Sequence, residues 1–339
     1  MPDRSRSQQR AHASRAFDFI ADDYDTVYGQ EGNAAMAWMR RESIKYLETA
    51  FPSGSRLLEI GCGTGDEAVA LALGGRFIVA TDLSPRMVQI TAQKAAVAQI
   101  ADRVQAVALA AGALGALRPR AGFDGAYASF GALNCEPDLR VFGEALHDLV
   151  RPGGAVVCGV MGRVYLFEIL WYLAHGHLYH AFRRLRPGWQ LAPVSGVGQR
   201  EMHVPTRYLL RRDMRRLMGS GFDLDEVWAL PLWMPPPYAA SLYQRYPALV
   251  SQLEILERAL RCKWPFSLLG DHLVMLFRRR PSTGRQRGPE VASLPPGRCG
   301  RDIRSIQREL PEGPMLRSGS PSRRLGLIQT ALSASPLPG

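Results

Sequence analysis

Residues Leu57–Gly65 read LLEIGCGTG, and this stretch decides the fold class. The apolar run Arg56–Ile60 predicts a buried β-strand, and Asp66–Leu73 has the composition of a helix. The turn between them carries glycines at alternate positions: Gly61, Gly63 and Gly65. Glycine adopts backbone angles that other residues avoid, and it leaves room for a ligand. A strand, a glycine-rich turn and a helix in this order form the nucleotide-facing corner of a doubly wound α/β sheet.

Two acidic side chains beside the turn bear on which ligand it would accept. The dinucleotide fingerprint G-x-G-x-x-G requires a third glycine where Asp66 stands, and a carboxylate there would repel a pyrophosphate. Glu59, two positions before the first glycine, is also better suited to a cationic ligand than to an anionic one. The acids therefore favour a cationic cofactor over a dinucleotide.

The spacing Glu-x-Gly-x-Gly-x-Gly over residues 59–65 resembles motif I of the class I S-adenosylmethionine-dependent methyltransferases. Residues 81–88, TDLSPRMV, resemble motif II of that family. They place Asp82 at the end of a predicted second strand, Arg76–Thr81, where a carboxylate can hold the two hydroxyls of a ribose. The resemblance implies S-adenosyl-L-methionine as cofactor and these residues as its contacts: Glu59, Gly61, Cys62, Gly63, Gly65, Asp82 and Leu83.

Two further segments match the same family. Residues 16–29, AFDFIADDYDTVYG, resemble the N-terminal segment of small-molecule and quinone-modifying methyltransferases, in which the tyrosine covers the cofactor pocket. Tyr24 is thus either a cofactor contact or a packing residue. Residues 123–134, FDGAYASFGALN, resemble motif IV, which puts Phe130 at the cofactor and Ser129 and Asn134 at the reacting groups as catalytic candidates. The alternative for Asn134 is a cap on the helix that follows.

The remaining pattern predicts the rest of the sheet. Apolar runs indicate further strands at residues 104–109, 123–130, 155–160, 224–230 and 272–277. Together with the turn LVRPGG, residues 149–154, they predict an α/β fold. Its core is a doubly wound, seven-stranded, mostly parallel sheet of the Rossmann-like methyltransferase type, in a domain spanning residues 14–280. Many relatives carry an acid for the adenine amine after the third strand, where this chain has Gly112-Ala113.

Two insertions extend this minimal fold, at about residues 161–205 and 231–270. Both are rich in aromatic, methionine or proline residues, and we expect them to form helical caps over the carboxyl edge of the sheet. Such a cap suits a small acceptor that is apolar, aromatic or lipid-like. The first insertion also combines aromatic residues with arginines at one end, which suits peripheral membrane contact.

Composition limits the partners and the compartment. The net charge is +11, but only three residues are lysine, so a bias toward arginine explains it better than a nucleic-acid partner does. Five cysteines without C-x-x-C spacing argue against a zinc site and fit the reducing cytoplasm, and His175, His177 and His180 do not form a recognised metal set. The polar, arginine-bearing residues 1–13 lack an apolar signal core, so secretion is not expected, and no apolar run reaches the ~20 residues that span a bilayer. Residues 1–13 and the Pro/Ser/Arg-rich residues 281–339 are expected to be disordered.

The function predicted from these motifs is methyl transfer to an oxygen, carbon or nitrogen of a small acceptor by in-line displacement. The sequence offers no convincing general base, although His203 and His272 are candidates. Two alternatives stay open: a non-catalytic S-adenosylmethionine-binding regulatory or scaffold module, and an NAD-dependent oxidoreductase. The sequence does not indicate the oligomeric state.

Overall fold

A computed structural model describes residues 2–29, 33–117, 122–198 and 201–281. The α-helices, numbered in chain order, are α1 Pro2–Ile20, α2 Tyr24–Tyr28, α3 Ala34–Ala50, α4 Asp66–Leu73, α5 Pro85–Val97, α6 Phe142–Leu149, α7 Leu166–Ala174, α8 Leu178–Ala181, α9 Arg211–Met218, α10 Ser241–Arg245 and α11 Pro247–Leu260. The strands are β1 Arg56–Ile60, β2 Phe77–Asp82, β3 Val104–Ala108, β4 Phe123–Ala128, β5 Val150–Met161, β6 Gln190–Ser195, β7 Glu201–Thr206, β8 Phe222–Leu230 and β9 His272–Arg279.

The main sheet has seven strands in the order β3-β2-β1-β4-β5-β9-β8. Strands β1 to β5 are parallel, β9 is antiparallel to β5, and β8 is antiparallel to β9, so β9 alone runs against the other six. The strand order reverses direction at β1, and crevices at such a point receive ligands in open α/β sheets. The predicted fold class is therefore confirmed, and it puts the glycine-rich turn at this switch point.

Two layers of apolar side chains cover the sheet and hold it rigid. One layer joins α3 and α4 to the sheet through residues such as Trp38, Leu57 and Trp228. The other joins α6 and α9 to the opposite face through residues such as Leu58, Phe142 and Met214. A parallel strand with both faces buried reads as a continuous apolar run, which is why β1 and β4 were recognisable in the sequence.

The first insertion, residues 161–205, differs from its prediction. Its helical part divides into α7 and α8 at Gly176, whose φ of +76° lies outside the helical range. The insertion ends in an antiparallel hairpin, β6 and β7, which the sequence analysis did not predict. In the second insertion, the run over residues 239–261 divides into α10 and α11 at Pro247, which has no backbone N–H to donate.

The N-terminus also corrects a prediction. Residues 2–13, expected to be disordered, belong to α1, which packs along α5 and the β6–β7 hairpin. Two ion pairs tie the helix to the loop after β4: Arg6 to Asp138 at 3.3 Å and Arg10 to Glu136 at 2.6 Å. Tertiary contacts thus stabilise α1, whose polar sequence would not form a stable helix alone. The predicted disorder of residues 282–339 lies outside the described residues, and the boundaries of the 14–280 domain remain a prediction.

Asn134 does not occupy the catalytic position predicted for it. Its side chain is fully buried, and its amide group donates to the carbonyl oxygens of Met161 at 3.0 Å and Arg207 at 2.8 Å. Its side-chain oxygen accepts the N–H of Met161 at 2.9 Å. Both amide hydrogens are therefore committed to the backbone. Asn134 neither faces a ligand nor caps α6, and instead it fastens the β4 loop to the end of β5.

We expect Asn134→Ala to lower the free energy of unfolding by about 2–4 kcal/mol, because buried backbone groups would lose their partners. Urea denaturation of the variant, with the exposed Gln252→Ala as control, measures this loss. Wild-type stability in the variant, combined with a loss of ligand binding, would contradict the structural role.

Candidate functional site

The glycine-rich turn at the end of β1 is closed on one side and open on the other. A side chain on Gly61 would collide with Ala132, so the turn packs tightly against the loop after β4. A Cβ on Gly63, by contrast, would come no closer than 3.9 Å to any neighbour, and that neighbour is a ring carbon of Tyr24. The open side at Gly63 is thus the place where a ligand can approach the backbone, with Tyr24 opposite it.

Asp82 lies at the end of β2 and binds the turn directly. One carboxylate oxygen accepts the N–H of Gly63 at 2.9 Å, and the other accepts the N–H of Ser84 at 2.8 Å. Burial raises the pKa of the Asp82 carboxyl, although these two backbone hydrogen bonds oppose the shift. A carboxylate offers about four lone-pair positions, so each oxygen can still accept one further hydrogen bond. Asp82 can therefore hold the turn and receive a pair of ligand hydroxyls at the same time.

The N-terminal segment forms a roof over this corner. Asp18 of α1 accepts the hydroxyl of Ser84 at 2.5 Å, and the carbonyl oxygen of Leu83 accepts the hydroxyl of Ser14 at 3.2 Å. Asp25 of α2 accepts the hydroxyl of Thr64 at 2.5 Å. Tyr24, at the start of α2, is thus the roof residue opposite Gly63, and Leu83 is held to α1 through its backbone carbonyl. Whether they contact a ligand stays a prediction.

Beneath the turn lies a group of acids that we call the carboxylate cluster: Asp25, Glu59, Asp66, Glu67 and Asp82. Among the described residues, two buried cations form ion pairs with it. Arg40 lies 2.7 Å from Glu67 and 3.4 Å from Asp66, and Lys94 lies 2.6 Å from both Asp66 and Asp25. Five carboxylates and two cations give a formal charge of −3.

This arrangement corrects the argument made for Asp66. Its carboxylate is paired with Lys94 and Arg40, so it does not present a free charge to a ligand. Glu59 and Asp82 form no ion pair with a described cation. Glu59, Glu67 and Asp66 each keep a buried carboxylate oxygen without a hydrogen-bond partner among the described residues, although Arg40 pairs with the last two. Burial, together with the charge of Glu67, raises the pKa of the Glu59 carboxyl well above its ordinary value. The cluster therefore lacks positive charge, which a cationic ligand would supply.

The loop after β4 carries the predicted residues Ser129 and Phe130. Phe130 has a φ of +49°, a strained conformation for a residue other than glycine, and such strain is typical of functional sites. Its ring lies between the Arg40 guanidinium, 5.3 Å from the ring centroid, and the His272 ring, at 5.8 Å. Ser129 and Phe130 line a narrow pocket, closed by Tyr46 of α3. Asn134 is not part of this group.

His272 faces the same pocket, although motif comparison did not place it there. Because β9 runs antiparallel to β5, its first residue lies at the carboxyl edge of the parallel strands, beside Met161 and Leu230. The Nδ1 atom is 3.1 Å from a carboxylate oxygen of Asp271, and the ring is buried. Neither ring nitrogen meets hydrogen-bond geometry with a described residue. If the last strand had been predicted to run antiparallel, His272 at its start would have been predicted to lie at the functional edge of the sheet.

A chain of charges supports the histidine. Asp271 lies 2.7 Å from Arg184, and Arg184 lies 2.6 Å from Glu168. Burial would raise the pKa of the Asp271 carboxyl, but the charges of Arg184 and His272 outweigh it and hold that pKa well below its ordinary range. Asp271 is thus a fixed anion beside the imidazole. The other candidate base, His203, is exposed on the hairpin next to Glu201.

Gly112 stands where many relatives carry the acid that contacts the adenine amine, and Glu136 lies beside it. A side chain on Gly112 would contact the Glu136 carboxylate, which is buried and paired with Arg10 of the roof. An acid therefore lies beside this position although the local sequence has none. Over the described residues, three or more His, Cys, Asp or Glu side chains do not gather in any arrangement that could hold a metal ion.

Comparison with known proteins agrees with the site. A family profile described as a methyltransferase domain matches residues 57–154, from the glycine turn to the turn before β5. The demethylmenaquinone methyltransferase of Lysinibacillus sphaericus is 29% identical over 150 residues, which are 43% of this chain and 61% of that protein. The ribosomal protein L11 methyltransferase of Bordetella parapertussis is 34% identical over 122 residues, 35% of this chain and 36% of that protein. The chain thus spans less than two thirds of either relative.

Among solved structures, the [4+2]-cyclase SpnF superimposes with a TM-score of 0.50 at 15% identity, over 79% of this chain and 95% of that one. At this identity the likeness concerns the fold alone. The methyltransferase domain match, the curated relatives and the seven-stranded sheet agree with motifs I, II and IV. Residues 57–154 match a methyltransferase domain, and the motifs and sheet of this chain resemble those of the class I S-adenosylmethionine-dependent methyltransferases.

Proposed function

We propose that this protein binds S-adenosyl-L-methionine and transfers its methyl group to a small apolar or aromatic acceptor. The observation that carries the proposal is the carboxylate cluster, which has a formal charge of −3 beneath a glycine turn open at Gly63. The ligand has an ammonium and a sulfonium group, whereas a dinucleotide would bring a pyrophosphate to the same acids. Coulomb attraction at a partly buried site favours the cationic ligand.

Each residue around the turn has a role in this proposal. Asp82 accepts the ribose hydroxyls with the lone pairs left free by Gly63 and Ser84. The unpartnered oxygens of Glu59 and Glu67 compensate positive charge. The Tyr24 ring, opposite Gly63, offers an aromatic face, which attracts a cation. Phe130 lies beside the cofactor site, with its ring against the Arg40 guanidinium. When bound, S-adenosylmethionine supplies a methyl group already activated by the sulfonium, so the protein has mainly to align the acceptor and exclude water.

We place the acceptor at the pocket of Ser129, Phe130 and Tyr46, whose free volume of about 10 Å³ holds little more than one water, so the pocket must widen when the acceptor binds. Its apolar lining and the demethylmenaquinone methyltransferase relatives support an aromatic acceptor of the quinol type. His272 is placed to take a proton from an acceptor hydroxyl at Nε2, and the Asp271 carboxylate beside Nδ1 would stabilise the resulting imidazolium. The proton would then leave to solvent when the pocket opens.

The competing function is a non-catalytic module that binds the same cofactor. The fold by itself is compatible with this alternative, because folds of this type carry more than one activity. His272 favours catalysis, because its Nε2 atom lacks a hydrogen-bond partner among the described residues and a purely regulatory module has no need of a buried base.

Incubation of the purified chain with methyl-labelled S-adenosylmethionine and a reduced naphthoquinone tests the proposal. A parallel sample should contain a cell extract that is afterwards divided into lipid, small-molecule, RNA and protein fractions. We expect label in the naphthoquinol or in the lipid and small-molecule fractions, and less of it with His272→Gln. Label that appears only in RNA or protein, or none under any condition, would contradict the proposal.

Asp82→Ala is expected to weaken binding of S-adenosylhomocysteine by about 1–3 kcal/mol, because the ribose hydroxyls would lose a charged acceptor. Calorimetric titration measures the change. Asp102→Ala, which removes a highly exposed carboxylate, provides the matched control and should bind like the wild type. Thermal unfolding of both variants checks that the turn at Gly63 is preserved. Equal affinity of Asp82→Ala and the wild type would remove Asp82 from the site.

A further inference from the structure

We infer that the outer surface of the first insertion docks onto an anionic lipid surface. This docking face consists of exposed side chains on α7, on α8 and in the turn that follows: Leu170, Leu173, Leu178, Tyr179, Phe182 and Leu185. The inference concerns where the protein resides and does not depend on the proposed reaction.

The docking face is unusually apolar for a surface. Leu178 is 64% exposed and Tyr179 is 61% exposed, and six of the seventeen exposed large apolar side chains in the described residues fall within residues 170–185. Single exposed apolar residues are common on soluble proteins, whereas a contiguous group marks an interaction site. These six residues lie within sixteen consecutive positions, on α7, on α8 and in the turn after them, and α7 packs against α8.

The charge around the docking face has one sign. Over residues 163–189, Glu168 is the only acid, and it is 1% exposed because it is paired with Arg183 and Arg184. Arg186 is exposed and lies 4.1 Å above the ring of Tyr179. Arg163 reaches the same turn and donates to the carbonyl oxygen of Leu185 at 3.3 Å. Apolar side chains bordered by arginines, without an exposed acid, are the composition of an interfacial membrane helix.

The same charges argue against a second copy of the chain as the occupant. A two-fold interface places one patch against itself, so Arg163 and Arg186 would face their own counterparts. Like charges brought together at an interface oppose association, whereas anionic head groups neutralise them. Insertion across the bilayer is not involved: within the described residues no helix is both long and apolar enough to span a membrane.

Co-sedimentation of the full chain with lipid vesicles tests the inference. We expect binding to vesicles of phosphatidylcholine mixed with phosphatidylglycerol, and weaker binding to phosphatidylcholine alone. Leu178→Asp combined with Tyr179→Asp should reduce binding at least about tenfold, because two apolar side chains that insert into the lipid surface would be replaced by carboxylates. Arg186→Glu should weaken binding to the anionic vesicles alone.

Leu249→Asp combined with Ile255→Asp is the matched control, since these side chains are 53% and 64% exposed on α11, outside the docking face, and this variant should keep most of the wild-type binding. The Leu178/Tyr179 variant and this control each lower the net charge from +11 to +9, so a change in non-specific attraction would affect both equally. Undiminished binding of the Leu178/Tyr179 variant, or no binding of the wild type, would overturn the inference. So would a dimer in light scattering that this variant abolishes. None of these results would affect the test of methyl transfer, which is performed without lipid vesicles.

Discussion

Arg40 and Lys94 are the two buried cations on which the candidate site depends. Arg40 joins α3 to the first turn of α4, and Lys94 joins α5 to both α4 and the N-terminal roof. Removing either one would leave buried carboxylates without a counter-charge, which is strongly destabilising. The two cations are nevertheless too few for the five acids. That shortfall makes a corner common to many nucleotide-binding folds suitable for a cationic ligand.

Charged contacts also attach the added segments of the chain to this corner. The roof is held by Asp18 and Asp25, which bond to the loop after β2 and to the turn after β1. The first insertion is held by Arg184, whose guanidinium reaches Asp271 at the start of β9. The elements beyond a minimal sheet are thus tied to residues of the candidate site, at the glycine-rich turn and beside His272.

Much of the fold could be predicted from the sequence because its signals are local. Buried parallel strands are continuous apolar runs, and the glycines of the turn are fixed by spacing. The predicted disorder of α1 was wrong, since its helix depends on contacts with residues more than a hundred positions away. Asn134 was wrongly assigned for a similar reason: a polar residue after β4 suggested catalysis, but its partners on β5 and the loop near Arg207 are visible only in three dimensions. The placement of His272 required knowledge that β9 is reversed.

The charge imbalance leads to one direct test, which is a calorimetric titration of the purified chain with S-adenosylhomocysteine and, separately, with NAD⁺. S-adenosylhomocysteine, the product of methyl transfer, keeps the ammonium group and the ribose of the cofactor. It brings no pyrophosphate to the carboxylate cluster. We expect saturable binding of S-adenosylhomocysteine and no binding of NAD⁺. Saturable binding of NAD⁺ without binding of S-adenosylhomocysteine would contradict the assignment of this site to a cationic cofactor.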